Sequence, residues 1–250
     1  MVIDTSPGTL SSAYLGRVAT KIGEIEAVVS AQIVPAAEAI AASLGGSGLL
    51  HAWGSGHSFV LAKELFYRAG GLAQVNAVYD LALTGVGDVG SLDIGAYDGQ
   101  VGHARAVLDA HDIRAGEVLV VFTPYGTNVA AVDACLWAEE RGVTTVVVAS
   151  DPPAGGTAHP AGRTAQEIAD FWIRNPIDPD DAVVPVGPYA VGATATATGA
   201  VICQLLVVET VAAILRAGGE PEVIVAARSP EARAANAATL APYAGRIHHL

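Results

Sequence analysis

Apolar residues recur at helical spacing through the first 45 positions: Leu10, Tyr14, Val18, Ile22 and Ile25 form one stripe. The pattern predicts helix over 9–45, with Pro35 starting or kinking a second segment and the Gly-rich run at 45–48 stopping it. The period then changes. Residues 49–53, LLHAW, form a short apolar run typical of a buried strand, and 57–69 return to helical spacing up to Gly70-Gly71. Residues 73–79 predict a second strand, 80–100 a loop rich in Gly and Asp, and 101–111 a helix. A clear strand at 117–123, EVLVVFT, runs through Pro124-Tyr125-Gly126-Thr127-Asn128 into a helix at 128–141. Residues 143–150 predict the next strand, 151–163 a loop, 164–170 a short helix and 171–173 a last strand. An irregular crossing at 174–184 then leads to helices at 193–217 and 230–241.

Strands alternating with helices imply an α/β fold with a parallel sheet covered on both faces. Such sheets bind ligands at the carboxyl ends of their strands, which brings the loops at 54–58 and 123–128 together. The first is Gly54-Ser55-Gly56-His57-Ser58, placed where a strand becomes a helix. Two glycines allow close backbone approach, while Ser55, Ser58 and the helix start offer donors to an anion. The plainer alternative is a turn with Ser58 as a helix cap, and the residues alone leave the two about level. A dinucleotide site is not expected, because G-x-G here lacks a third glycine and a suitably placed acid. In the second loop Thr127 or Asn128 can cap the following helix.

Composition narrows the picture. The 250 residues are 52% hydrophobic and 15% charged, enough for a sizeable core in one large domain or a domain with a helical arm. A net charge of −12 argues against nucleic-acid binding. The start, MVIDTSPGTL, does not read as a signal peptide, and the apolar run at 200–215 is short for a membrane span and contains Glu209, so a buried helix is expected. Cys135 and Cys203 fall in helical patterns and are expected to be reduced core residues of a cytoplasmic protein. No cysteine or histidine spacing suits a metal, so neither metal nor other cofactor is expected. His51 reads as packed, and His103 as a residue that could reach a site across a dimer. His111, His159, His248 and His249 read as loop or tail residues, and Asp178, Asp180 and Asp181 as a solvated loop.

The stretch GSGHSFVLAKELFYRAGG resembles the sugar isomerase (SIS) domain, and within it the uncharacterised SIS proteins related to phosphoheptose isomerase. The resemblance continues through VLVVFTPYGTNVAAVDACLWAEERGVTTVVVAS and AHPAGRTAQEIADFWIRN to YAGRIHHL at the end. It implies a three-layer αβα sandwich around a five-stranded parallel sheet. Residues 1–45 would be a helical arm packing on the domain or on a partner subunit, with the SIS domain at 46–250. It further implies a homodimer or homotetramer that binds a sugar or sugar phosphate, with no nucleic-acid or membrane partner. Carried over position by position, the binding groups would be Gly54, Ser55, Gly56, Ser58, Thr123, Tyr125, Gly126, Thr127, Asn128 and Thr196.

The implied activity is aldose–ketose isomerisation of a sugar phosphate through an enediol. Glu64 stands where phosphoheptose isomerases carry a catalytic glutamate, and His57 is the candidate for the histidine those enzymes place in the late helix, which 193–217 lacks. From the residues alone, Glu64 also reads as a surface glutamate or as a partner of Arg68 at i+4. The family's second loop reads SxSG where this chain has Thr-Pro-Tyr-Gly, and its STxTG is Ala195-Thr196-Ala197-Thr198-Gly199 here. Those departures carry the alternative: a non-catalytic sugar or sugar-phosphate binding or sensing protein with an altered phosphate loop.

Overall fold

Short apolar runs that feed two buried faces become the strands, valine-rich only in the centre of the sheet. In the computed structural model, which describes residues 6–84 and 93–250, these are β1 (Leu50–Gly54), β2 (Val75–Val78), β3 (Val118–Phe122), β4 (Thr144–Ala149) and β5 (Phe171–Arg174). They form one parallel sheet in the order β2-β1-β3-β4-β5. Successive side chains point to opposite faces, so each strand feeds two cores. Leu50, Ala52, Val118, Val120, Val146 and Val148 pack on one side, and Trp53, Leu119, Val121, Val147 and Ala149 on the other.

Helices cover both faces. In chain order they are α1 (Thr9–Glu26), α2 (Val34–Gly45), α3 (Phe59–Leu65), α4 (Leu81–Thr84), α5 (Ile94–Asp98), α6 (His103–Asp109), α7 (Val129–Arg141), α8 (Ala165–Ile168), α9 (Ala195–Arg216) and α10 (Pro230–Leu240). Elements α2, α3 and α9 supply Ile40, Leu61 and Ile202 to the first core; α6, α7 and α8 supply Leu108, Trp137 and Ile168 to the second. The expected αβα sandwich is therefore present. A π-helical turn at Val29–Ile33 separates α1 from α2, the two segments bend by 52°, and Pro35 lies in the first turn of α2 as expected. Cys135 and Cys203 are free and buried. Helix α9 is long and apolar enough to cross a membrane, yet half of its most apolar window is buried in the domain.

Four expectations change. The helix expected at 57–69 ends at Leu65, because Phe66 turns extended (ψ 129) and buries its ring. Arg68 thus lies beyond the helix, and it donates to Glu64. The loop expected at 80–100 begins and ends in α4 and α5, while 85–92 lie outside the described residues. The irregular crossing runs into an antiparallel hairpin of β6 (Ala182–Val186) and β7 (Tyr189–Ala193). On α1, Ile22 is 41% exposed, and Lys21 faces inward in its place at 5% exposure.

That lysine explains how the hairpin approach is held. Its apolar stem lies in the domain, and its Nζ donates to the Pro176 carbonyl at 2.8 Å and meets Asp178 Oδ1 at 3.1 Å. Replacing Lys21 with methionine leaves both acceptors unpaired. The expected cost is about 1–3 kcal/mol, read as a lower urea midpoint at unchanged slope.

At the amino edge of the sheet a polar network pins the chain's end. Glu117 Oε1 accepts from the Leu49 amide (2.9 Å) and Arg246 (2.7 Å), and Oε2 from His51 (3.0 Å) and the Arg114 amide (2.8 Å). The Asn76 amide donates to Nδ1 of His51 (3.1 Å) and of His111 (3.3 Å), and its oxygen accepts from the His248 amide (3.1 Å). His51 is packed, as expected; His111 and His248 belong to this network and not to free loops.

Candidate functional site

In this strand order the chain leaves β1 toward one edge and β3 toward the other. The crevice at their carboxyl ends is where open α/β sheets take ligands. The loops after β1 and β3 meet there and flank two adjoining lobes, of about 430 and about 290 Å3. His57, Ser58, Thr123, Pro124 and Tyr125 line both.

The first loop is built by close approach. A Cβ on Gly54 would sit 2.8 Å from the Ser58 carbonyl oxygen and 3.2 Å from Phe122 Cβ, so only glycine lets β1 end against β3. Gly56 takes φ +55 and opens a short 3-10 turn through Ser58. Ser58 stands at the α3 cap position, yet its side chain caps nothing. Among the described residues, the hydroxyls of Ser58, Thr127 and Thr196 make no hydrogen bond within the protein, so they can meet a ligand.

The second loop is organised by Asn128. It occupies the α7 cap position but makes no capping bond; its Oδ1 accepts from Thr123 at 2.9 Å, and its Nδ2 donates to Asp98 at 2.8 Å and to Ser55 at 3.4 Å. Of the caps the sequence left open, Ser58 for α3 and Thr127 or Asn128 for α7, none forms a side-chain bond to its helix. Tyr125 walls both lobes and donates its hydroxyl to the Pro179 carbonyl at 2.8 Å. Burial, then the charges of Asp181, Asp180 and Asp178, raises that phenol above its ordinary range.

The structure brings together most of the expected residues. Thr196 lines the larger lobe, and Ser55, Gly56, Thr127 and Asn128 the smaller. Gly54 and Gly126 shape the loops without lining either. At φ +65, a side chain on Gly126 would press on Trp172 and Ala165. Glu64 also lines neither lobe. Its Oε1 accepts from Arg68 and, at 2.8 Å, from Gln204 on α9. Gln204 is thus the late-helix residue that meets Glu64 here.

Several lining residues escaped sequence reasoning. Asn175, directly after β5, is 3% exposed and lines the larger lobe; its Nδ2 donates to the Ala195 carbonyl at 3.1 Å, and its Oδ1 has no partner. A polar residue between a strand and Pro176 was the available signal. Asp180 and Asp181 are cavity wall and not merely a solvated loop, and Asp98 lines the smaller lobe. Among the described residues lining the lobes there is no lysine or arginine.

A parallel αβα sheet with a hydroxyl- and carboxylate-lined crevice at its switch point defines the class: an α/β small-molecule-binding domain. Residues 13–150, more than half of the chain, match the SIS domain, and the protein belongs to that family. A UPF0309 protein of Brucella canis is 30% identical over 245 residues, covering 96% of this chain and 99% of its own. Among solved structures, a phosphoheptose isomerase of Neisseria gonorrhoeae superposes with a TM-score of 0.50 at 19% identity, over 81% of this chain and 96% of that one. The NanR protein of Vibrio vulnificus, solved with ManNAc-6P, superposes with a TM-score of 0.50 at 13% identity, over 98% of this chain and 72% of its own. At such identities both share the fold alone.

Proposed function

We propose that the protein binds a sugar or sugar phosphate in the crevice between the 54–58 and 123–128 loops. One observation carries the reading: two lobes meet on the same five loop residues, and Ser58, Thr127 and Thr196, whose hydroxyls have no partner among the described residues, line one or both of them. Hydroxyl and amide partners suit a polyol, and the Tyr125 ring offers an apolar face. A phosphate would lie in the smaller lobe, near Ser55, the Gly56 amide and Thr127, held by dipoles and hydroxyls. SIS membership and the ManNAc-6P complex of a protein with the same fold support this.

The test is a thermal-shift screen of sugars in matched pairs, with and without phosphate. A ligand at 100 times its dissociation constant adds about 2.7 kcal/mol to stability. Stabilisation by phosphorylated members alone is the result for a sugar phosphate; equal shifts with free sugars remove the phosphate from the reading. No shift in any pair contradicts sugar binding.

Isomerisation through an enediol is the second reading, supported by SIS membership and by Glu64 standing where the phosphoheptose isomerases that this chain resembles carry a glutamate. Glu64 would be the base and His57 the second catalytic group. The ligand would have to extend from the larger lobe past Leu61 to reach it. Catalysis predicts turnover that Glu64→Gln abolishes while ligand-induced stabilisation persists. Stabilisation without turnover leaves a binding or sensing protein. Assembly as a homodimer or homotetramer belongs to the same proposal, and the exposed Val208 and Leu215 on α9 support it.

A further inference from the structure

Much of the larger lobe is walled by one short stretch between β5 and β6: Asn175, Ile177, Pro179, Asp180 and Asp181. Ala193, at the end of the hairpin that follows, completes that side. The stretch has little to hold itself in place. Pro176 and Pro179 have no N–H to give. From 176 to 181 the backbone bonds among the described residues are short-range: the Ile177 amide donates to the Asn175 carbonyl at 2.9 Å, and the Asp181 amide to the Asp178 carbonyl at 2.8 Å. The hairpin adds little anchorage, since Val184 is its one buried strand position.

Side chains from elsewhere hold this wall. Within the crevice, the Tyr125 hydroxyl donates to the Pro179 carbonyl at 2.8 Å. The other holds come from α1, whose Lys21 and Tyr14 line neither lobe. Lys21 Nζ donates to the Pro176 carbonyl at 2.8 Å and pairs with Asp178 at 3.1 Å. The Tyr14 hydroxyl donates to the Ala193 carbonyl at 2.8 Å, and its ring lies so close to Gly192 that an added Cβ would sit 2.8 Å from it. The two residues are seven apart, about two turns, so they share one face of α1. That face grips the wall at its entry and again at its exit. Lys21 is the stronger hold, because its bonds carry a charge and its side chain is buried, whereas the Tyr14 bond is neutral and open to solvent.

We propose that Lys21 is a positioning residue for the ligand: through Pro176 and Asp178 it keeps the 176–181 wall where it completes the larger lobe, with Tyr14 as the weaker hold at Ala193. Helix α1 thereby sets affinity in a crevice it does not line. A wall free to move has to be ordered when the ligand binds, and that cost is read as weaker affinity through faster release. The coupling is reciprocal, so a ligand that needs the wall in place strengthens the Lys21 contact in turn. The proposal rests on the sugar-binding reading above.

The test compares the full chain as wild type, as Lys21→Met and as Glu117→Gln, which loosens the amino edge of the sheet and leaves the crevice alone. Amide exchange without ligand reads the hold itself. In Lys21→Met the Ile177 and Asp181 amides exchange at least about tenfold faster, with the 54–58 and 123–128 loops unchanged. Binding kinetics then use glucose, fructose, ribose and N-acetylmannosamine, each with and without a terminal phosphate. The tightest of these leaves Lys21→Met at least about tenfold faster, with affinity weakened to match, and binds Glu117→Gln within about twofold of wild type. Unchanged exchange at Ile177 and Asp181 overturns the proposal. Faster exchange with unchanged affinity also overturns it, since the wall would then play no part in binding. So does an equal loss in Glu117→Gln, which lost stability alone would explain. In each of these cases sugar binding stands. Binding of none of these sugars to the wild type removes the sugar reading and the proposal with it. Should Lys21→Met not fold, Tyr14→Phe replaces it: release about threefold faster supports the proposal, and unchanged release overturns it.

Discussion

Replacing Glu117 with alanine lowers the unfolding free energy by about 3–5 kcal/mol, the largest stability loss expected of a polar substitution in this chain. The side chain is buried, and its two oxygens collect four donors: two backbone amides, His51 and Arg246. Removing it leaves a buried imidazole without its acceptor, takes from Arg246 one of its two carboxylate partners, and loosens the C-terminal tail on the sheet. Burial alone would raise the Glu117 carboxyl, but the bonds from His51 and Arg246 outweigh it and hold it at about 2 against an ordinary 4.5. Burial, with the nearby His248, His51 and His249, lowers His111 to about 4 from 6.5. Between pH 6.5 and 4 the unfolded chain binds the His111 proton more readily than the folded one, and between 4.5 and 2 the same holds for Glu117. Both slopes have one sign: stability falls on acidification from pH 6.5 downward. Urea titrations of the wild type across this range should show a falling midpoint, with a shallower fall in His111→Gln. A midpoint independent of pH would contradict the network.

Gly54→Ala abolishes ligand binding, by more than about thirtyfold, and costs about 1–3 kcal/mol of stability. The added Cβ would lie 2.8 Å from the Ser58 carbonyl oxygen and 2.9 Å from its carbon, with Phe122 Cβ behind it at 3.2 Å. None of these can swing aside, because two are backbone and the third is packed in the core. The loop must therefore move, carrying Ser55 and Ser58 out of the crevice. Gly56→Ala meets open space and strains only φ, so about 1 kcal/mol and little loss of affinity are expected. Titration of both variants with the sugar that best stabilises the wild type separates these effects. Equal losses would show that backbone freedom, not close approach, is what the first glycine provides.

Much of this arrangement was legible in the sequence because it is local. The valine-rich strands and the glycine–serine loops carry their own signals, and the sheet's parallel order follows from alternation with helices. What stayed hidden depends on partners distant in the chain. The hairpin of β6 and β7 has one buried strand position, Val184, and contains Pro185, so it lacks the alternation that marks a strand. The early end of α3 follows from burial of Phe66. The run at 178–181 looked solvated because its partners are Lys21, far away in the sequence, and the start of α9, reached only across the hairpin. Asn175 and Gln204 are single polar residues whose meaning comes from the sheet edge and from Glu64.

The most direct test of sugar binding in this crevice is amide hydrogen exchange with and without the most stabilising sugar. The account predicts slowed exchange in the 54–58 and 123–128 loops and at Asn175, with the amino-edge network around Glu117 unchanged. Unchanged exchange in both loops, or protection confined to another face, would contradict it.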